Sequence, residues 1–272
     1  MNTKHLAGLA PIIMFTLILC ACVKKNKFDS DAATSYSTAD NLFKDVSKVI
    51  ENAANENNLS GKTDGTQSLC ATVTLNPNDF TTFPKTVTVD FGTLGCTDQY
   101  GVNRRGMVTA VFTDYLHNPG AHVQVTFQNY YVNSVKLEGT YNLANTSPNS
   151  NSRTFNDTIT NGKATTPDGK YCTWNATRSS TQTGGFGTLA ILDDEYTGQG
   201  QSTGIGFNGK NFNSHSDNVV WKLACRYLVS GTVTVYSNND PKPVIIDFGN
   251  GGCDNKFHAS YDIYNADLTF WY

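Results

Sequence analysis

The chain has 272 residues, and its 20 Lys+Arg against 23 Asp+Glu give a formal net charge of −3. Without a basic stripe to neutralise a phosphate backbone, no nucleic-acid partner is expected. Aromatic residues at 11% and 23 glycines, set among many Thr, Asn and Val, are the composition of half-buried strands joined by tight turns.

Lys4 precedes an apolar run from Leu6 to Ala21 that Pro11 interrupts and that is too short to span a bilayer comfortably. Residues 1–21 therefore read as a secretory signal, and the small Ala21 stands directly before Cys22. Leu19-Cys20-Ala21-Cys22 resembles the lipobox of bacterial lipoproteins, whose cysteine is acylated and becomes the first mature residue. That resemblance implies a membrane anchor through lipid at Cys22. Each buried methylene adds about 0.8 kcal/mol, so several acyl chains of the palmitate kind hold stably where one holds marginally. An ordinary signal cut after Ala21 is the alternative. Val23 in place of Asp after the cysteine resembles signals sent on to the outer membrane, with the leaflet left open. Loss of the signal removes one Lys and no acid, giving a mature charge of −4.

Residues 22–36, with Lys24, Lys25 and Lys27, are expected to form a polar tether. The period then changes. Ser37-Thr38-Ala39-Asp40 fits a capping box, and Leu42, Phe43, Val46, Val49, Ile50 and Ala53 fall on one helical stripe, which predicts a helix over residues 38–56 packed against a sheet. A loop follows to about residue 65, and residues 66–272 form the β domain.

From Leu69 onward the periodicity is two. Strands are expected at residues 86–91, 107–115, 123–127, 135–141, 153–160, 172–178, 188–192, 221–236, 244–248 and 257–264, with turns at His117-Asn118-Pro119-Gly120 and Asn133-Ser134. Short connections favour antiparallel pairing. The expected fold is all-β, an antiparallel meander or sandwich with one N-terminal helix.

One stretch occurs twice. Pro84-Lys85-Thr86-Val87-Thr88-Val89-Asp90-Phe91-Gly92-Thr93-Leu94-Gly95-Cys96 aligns without gaps to Pro241-Lys242-Pro243-Val244-Ile245-Ile246-Asp247-Phe248-Gly249-Asn250-Gly251-Gly252-Cys253. Each copy follows a strand of like texture, so the unit is a hairpin, and Asp90 and Asp247 are expected to bond the turn amides near Gly92 and Gly249. Cys70 and Cys96 bracket the first copy, Cys225 and Cys253 the second. In straight hairpins with paired numbers summing to 166 and 478, each pair faces its partner, and outside the cytoplasm such thiols oxidise. Disulfides within each repeat are the expectation, although four cysteines alone allow three pairings. Cys20 leaves with the signal, and Cys172 reads as a small buried hydrophobe.

Chemistry is sparse. Gly200-Gln201-Ser202-Thr203-Gly204 matches a nucleophile elbow in letters only and reads as a loop. His117 and His122 flank a turn without a third ligand, and His215 and His258 are isolated. Asp193-Asp194-Glu195 lacks the alternating oxygen spacing of a calcium loop. No phosphate-cradling glycine motif or zinc spacing occurs, so neither cofactor nor metal is expected.

The repeated hairpin, Arg104-Arg105-Gly106 leading into a strand, Phe127-Gln128-Asn129-Tyr130-Tyr131-Val132-Asn133, and Cys225-Arg226 followed by Val229-Ser230-Gly231 resemble a family of Bacteroidetes envelope lipoproteins over most of residues 66–264. The resemblance implies an envelope location and brings no substrate or reaction. The expected function is a lipid-anchored cell-envelope protein with a non-enzymatic binding or structural role, whose partner is a glycan or an envelope protein. The alternative is a secreted glycan-directed hydrolase using carboxylates such as Asp193, Asp194 or Glu195. Adjacent Tyr130 and Tyr131 must point to opposite faces of a strand, so one is expected at a surface.

Overall fold

A computed structural model describes residues 31–59, 69–79, 81–237, 240 and 242–269. The signal segment and Cys22 lie outside the described residues, as do residues 60–68, which include the end of the predicted loop. Helix α1 (Asp31–Glu56) is followed by β1 (Thr72–Asn76), β2 (Lys85–Asp90), β3 (Cys96–Thr97), β4 (Asn103–Phe112), β5 (His122–Val132), β6 (Val135–Asn145) and β7 (Thr154–Thr165). The second half comprises β8 (Tyr171–Gly184), β9 (Glu195–Ile205), β10 (Asn211–Lys222), β11 (Ser230–Ser237), β12 (Val244–Asn250), β13 (Lys256–Tyr261) and β14 (Tyr264–Thr269). All pairings are antiparallel and follow chain order, except that the short β3 pairs with β4 beside β2. The fold is the expected antiparallel meander with one N-terminal helix. No described helix is long and apolar enough to cross a membrane.

The sheet curls around α1. The helix touches β2 near one end of the strand order, β7 and β8 in the middle, and β11 and β12 near the other. Its predicted apolar stripe is buried, as are Asp40, Lys44, Asp45 and Asn52 on the opposite side. Phe43 sits at the centre, edge-on to Trp174 with centroids 5.4 Å apart and to Phe127 at 5.9 Å. The helix starts seven residues before the predicted start, so the last residues assigned to the tether are helical. Ala32, Ala33 and Tyr36 are buried and prolong the apolar stripe backwards, which overrides the capping pattern at residues 37–40.

The curvature has a local cause. Asn129, Asn161 and Asn218 adopt φ of 48°, 53° and 49°, each at or beside a break in strand register. Opposite Asn129 stands Gly106, and opposite Asn218 stands Gly231; a Cβ on either glycine would overlap the facing asparagine carbonyl. These bulges bend the strands and raise their twist, which turns a flat ribbon into a wrap.

Sequence periodicity fails for β9 and β10. Residues 188–192, predicted as a strand, lie in the β8–β9 loop, and the predicted strand 221–236 is split by residues 223–229. The Gly200–Gly204 stretch is not a loop but the middle of β9, with Ser202 Oγ 2.6 Å from Ser214 Oγ across the strands. On its inward face β9 carries Gly198, Gly200 and Gly204. A Cβ on Gly198 would stand 3.0 Å from the Trp221 ring, and one on Gly204 would stand 2.9 Å from Phe212. The glycines thus leave room for bulky side chains of neighbouring strands to lie across β9.

Both expected disulfides are present, Cys70–Cys96 and Cys225–Cys253. By the chain-entropy estimate each contributes about 3 kcal/mol. The second hairpin pairs Val233 with Ile246, close to the expected register. The first pairs Val73 with Val89, four short of the expected sum of 166, because residues 91–95 form a loop between β2 and Cys96. Asp90 accepts a bond from the Gly92 amide, and Asp247 one from the Gly249 amide, both at 2.8 Å, as the repeat predicts.

Candidate functional site: the polar interior along the helix

Two arginines tie α1 to the wall. Arg104 on β4 donates through Nε and Nη2 to Asp45 at 2.9 and 2.5 Å, and through Nη1 to Asp98 at 2.7 Å. Arg178 on β8 donates through Nε to Asp157 on β7 at 2.8 Å and through Nη1 to Asp40. Burial opposes the charge of both guanidiniums, but the carboxylates outweigh it and hold each above the ordinary arginine value. Each trio of two carboxylates and one guanidinium carries one net negative charge.

A helix lysine follows each helix aspartate within a turn. Lys44 is 8% exposed, and its Nζ lies 3.5 Å above the Trp221 ring. Among the described residues it meets no carboxylate within ion-pair distance. Burial pushes its ammonium down to about 8, with Asp40 opposing; burial likewise brings Lys48 to about 8, with Asp45 opposing. Both lysines line a cavity of about 60 Å³ between the helix and the sheet. Its apolar wall includes Leu116, Val123, Leu143 and Phe155. At its polar edge Ser47 Oγ donates to Tyr141 OH at 3.1 Å and Tyr196 OH donates to Glu51 at 3.2 Å. A second cavity of about 60 Å³ shares Lys48 and Leu223 and lies among α1, residues 98–104 and residues 223–226. A polar tract therefore runs along the helix inside the wrap.

The charge on Lys44 is costly where it sits. Below pH 8 the folded state keeps a desolvated ammonium; between about 8 and 10.5 the unfolded chain binds more protons than the folded one, so stability rises with pH. Lys44→Met is expected to stabilise the fold by about 1–3 kcal/mol at pH 7, with the gain narrowing by pH 10. Denaturant unfolding at the two pH values measures this. A variant less stable at both would show that Lys44 serves mainly as counter-ion to the Asp40–Arg178–Asp157 trio.

The structure scatters the residues singled out from sequence. Asp194 is fully buried and takes a 2.6 Å bond from Gln182, Asp193 accepts from Thr188 at 3.0 Å, and Glu195 pairs with Lys222 at 3.1 Å. His117 stacks on Tyr115, and His258 pairs with Asp267 at 2.8 Å. No group of three potential metal ligands occurs among the described residues. Cys172 is buried, and burial raises its thiol to about 12, far from a reactive thiolate. Tyr130 is buried in the core, whereas Tyr131 lies on the outer face beneath the Arg105 guanidinium, 3.7 Å from its ring centroid. Lys44, Lys48 and Arg178, which build the interior site, carry no sequence motif. In the sequence Lys44 and Lys48 fall on the polar side of an amphipathic helix and Arg178 in a polar stretch of β8, positions that look solvent-facing.

Compared with known proteins, the chain matches no protein-family model, no curated protein and no solved structure.

Proposed function

We propose that this protein is a lipid-anchored, non-enzymatic binding protein of the bacterial envelope, with its ligand site in the cavity beside Lys44. The observation that carries the binding role is a buried ammonium at an apolar-walled cavity with, among the described residues, no carboxylate within ion-pair distance. Buried charges are ordinarily paired, so a retained unpaired one supports a role in holding something else. Arg104 and Arg178 are already engaged by two carboxylates each, which leaves Lys44 as the lining cation with donors to offer. The lipobox-like segment before Cys22 supports the anchor.

Two measurements test the reading. Intact-mass analysis of protein extracted from membranes is expected to show an acylated amino terminus at Cys22 that Cys22→Ser abolishes. An unmodified terminus at any other residue overturns the anchor. Aromatic-region NMR with a panel of small molecules of up to about eight non-hydrogen atoms is expected to give saturable shifts at Trp221. A panel without any saturable response overturns the interior binding site.

A further inference from the structure

Building on the reading of the cavity as a binding site, we propose that it takes a monovalent short-chain carboxylate, its two oxygens on Lys44 Nζ and its aliphatic body against the apolar wall. Size sets the first limit. At 10–15 Å³ per enclosed water, about 60 Å³ holds roughly four to six water positions, the bulk of propionate or butyrate and too little for a long acyl chain.

Charge sets the second. Lys44 offers three N–H donors, one face of the ammonium rests on Trp221, and among the described residues no oxygen accepts from it. Lys48 adds a second cation to the lining. Of the lining acids, Asp157 is paired with Arg178, and Glu51 accepts from the neutral Tyr196 hydroxyl and keeps its charge. The unfilled donors of Lys44 therefore suit the two acceptor oxygens of one carboxylate, while Glu51 and the net negative trio balance the two lysines. A second would meet the net negative Asp40–Arg178–Asp157 trio one helical turn away.

Polarity sets the third. Leu116, Val123, Leu143, Phe155 and Leu223 provide hydrocarbon where phosphate or sulfate would need donors on every side. A carboxylate concentrates its acceptors at one end and presents methylenes at the other. The arrangement also accounts for keeping a lysine whose replacement by methionine is expected to stabilise the empty protein, since binding sites trade stability for function.

Titration calorimetry on the full acylated chain in detergent micelles compares butyrate with butyramide, inorganic phosphate and palmitate. Butyrate is expected to bind saturably and about tenfold or more tighter than butyramide, the neutral isostere, with a loss of similar size in Lys44→Met. The wild-type comparison of butyrate with butyramide stands without the variant. Equal affinity for the two, or undiminished butyrate binding by a folded Lys44→Met, overturns the carboxylate assignment and leaves the cavity as a site read by shape. Preference for phosphate overturns it through charge, and preference for palmitate through size. No binding of any of the four overturns this inference, while saturable shifts at Trp221 with other small molecules would still uphold the general reading.

Discussion

Arg178→Met is expected to lower the free energy of unfolding by about 3–5 kcal/mol, the range for removing one partner of a buried ion pair. The wild-type guanidinium stands between Asp40 on the helix and Asp157 on β7, both nearly inaccessible to water. Methionine fills much of the same volume but leaves two carboxylates facing each other in a medium that stabilises neither. Neutralising both acids in the same background, as Arg178→Met with Asp40→Asn and Asp157→Asn, is expected to recover more than half of the loss. The three sites share one network, so their effects are not additive. Equilibrium unfolding in denaturant measures the series. A loss below about 1 kcal/mol for Arg178→Met would mean that water reaches the trio and that the ion pairs behave as surface pairs.

Phe43→Ala is expected to cost a similar amount, about 3–5 kcal/mol, by a different mechanism. The ring has no exposure and meets Phe127, Tyr141 and Trp174 from three strands, so its removal opens a void that the curved wall cannot collapse into. For a domain of this size the loss corresponds to a fall in melting temperature of roughly 6–20 °C. The near-UV spectrum should weaken as Trp174 loses its edge-on partner, while the disulfides and far-UV strand signal persist. An unchanged melting temperature would show that α1 is not the core around which the sheet wraps.

These two side chains illustrate what local pattern conveys and what it does not. Phe43 belongs to a stripe repeating every three or four residues, a signal that burial against any apolar surface produces, so its place in the core is visible in the primary structure. Arg178 has no such mark. Its helix partner lies 138 positions away, and Asp45 and Arg104 are 59 apart. An acid in a helix and an arginine in a strand are ordinary surface residues until the chain brings them together.

The missed strands have the same origin. Alternation reveals β2 and β4 because Val87, Val89, Val108, Ala110 and Phe112 present one apolar face. In β9 the inward positions after Tyr196 are glycines and Ser202, since the space above them is filled from β8 and β10 by Arg178, Trp221 and Phe212. A strand whose core face is supplied by its neighbours has no period of its own.

By itself the amino-acid sequence determined the features that rest on local chemistry: the antiparallel class, the apolar face of the helix, the two cysteine-bracketed hairpins and their aspartate-capped turns. These depend on side-chain periods, φ preferences and short loops, which act within a few tens of residues. Tertiary structure alone decided that the polar face of α1 is also buried. An amphipathic period is compatible with a helix lying on a sheet, half in water, and equally with one enclosed on all sides; the difference is made by bulges that curl the sheet until strands from both of its halves lie against the helix. Only that closure brings Asp40 to Arg178 and Asp45 to Arg104, and only it places Lys44 against Trp221 at the cavity, because desolvation depends on what surrounds a charge and not on its neighbours in the chain.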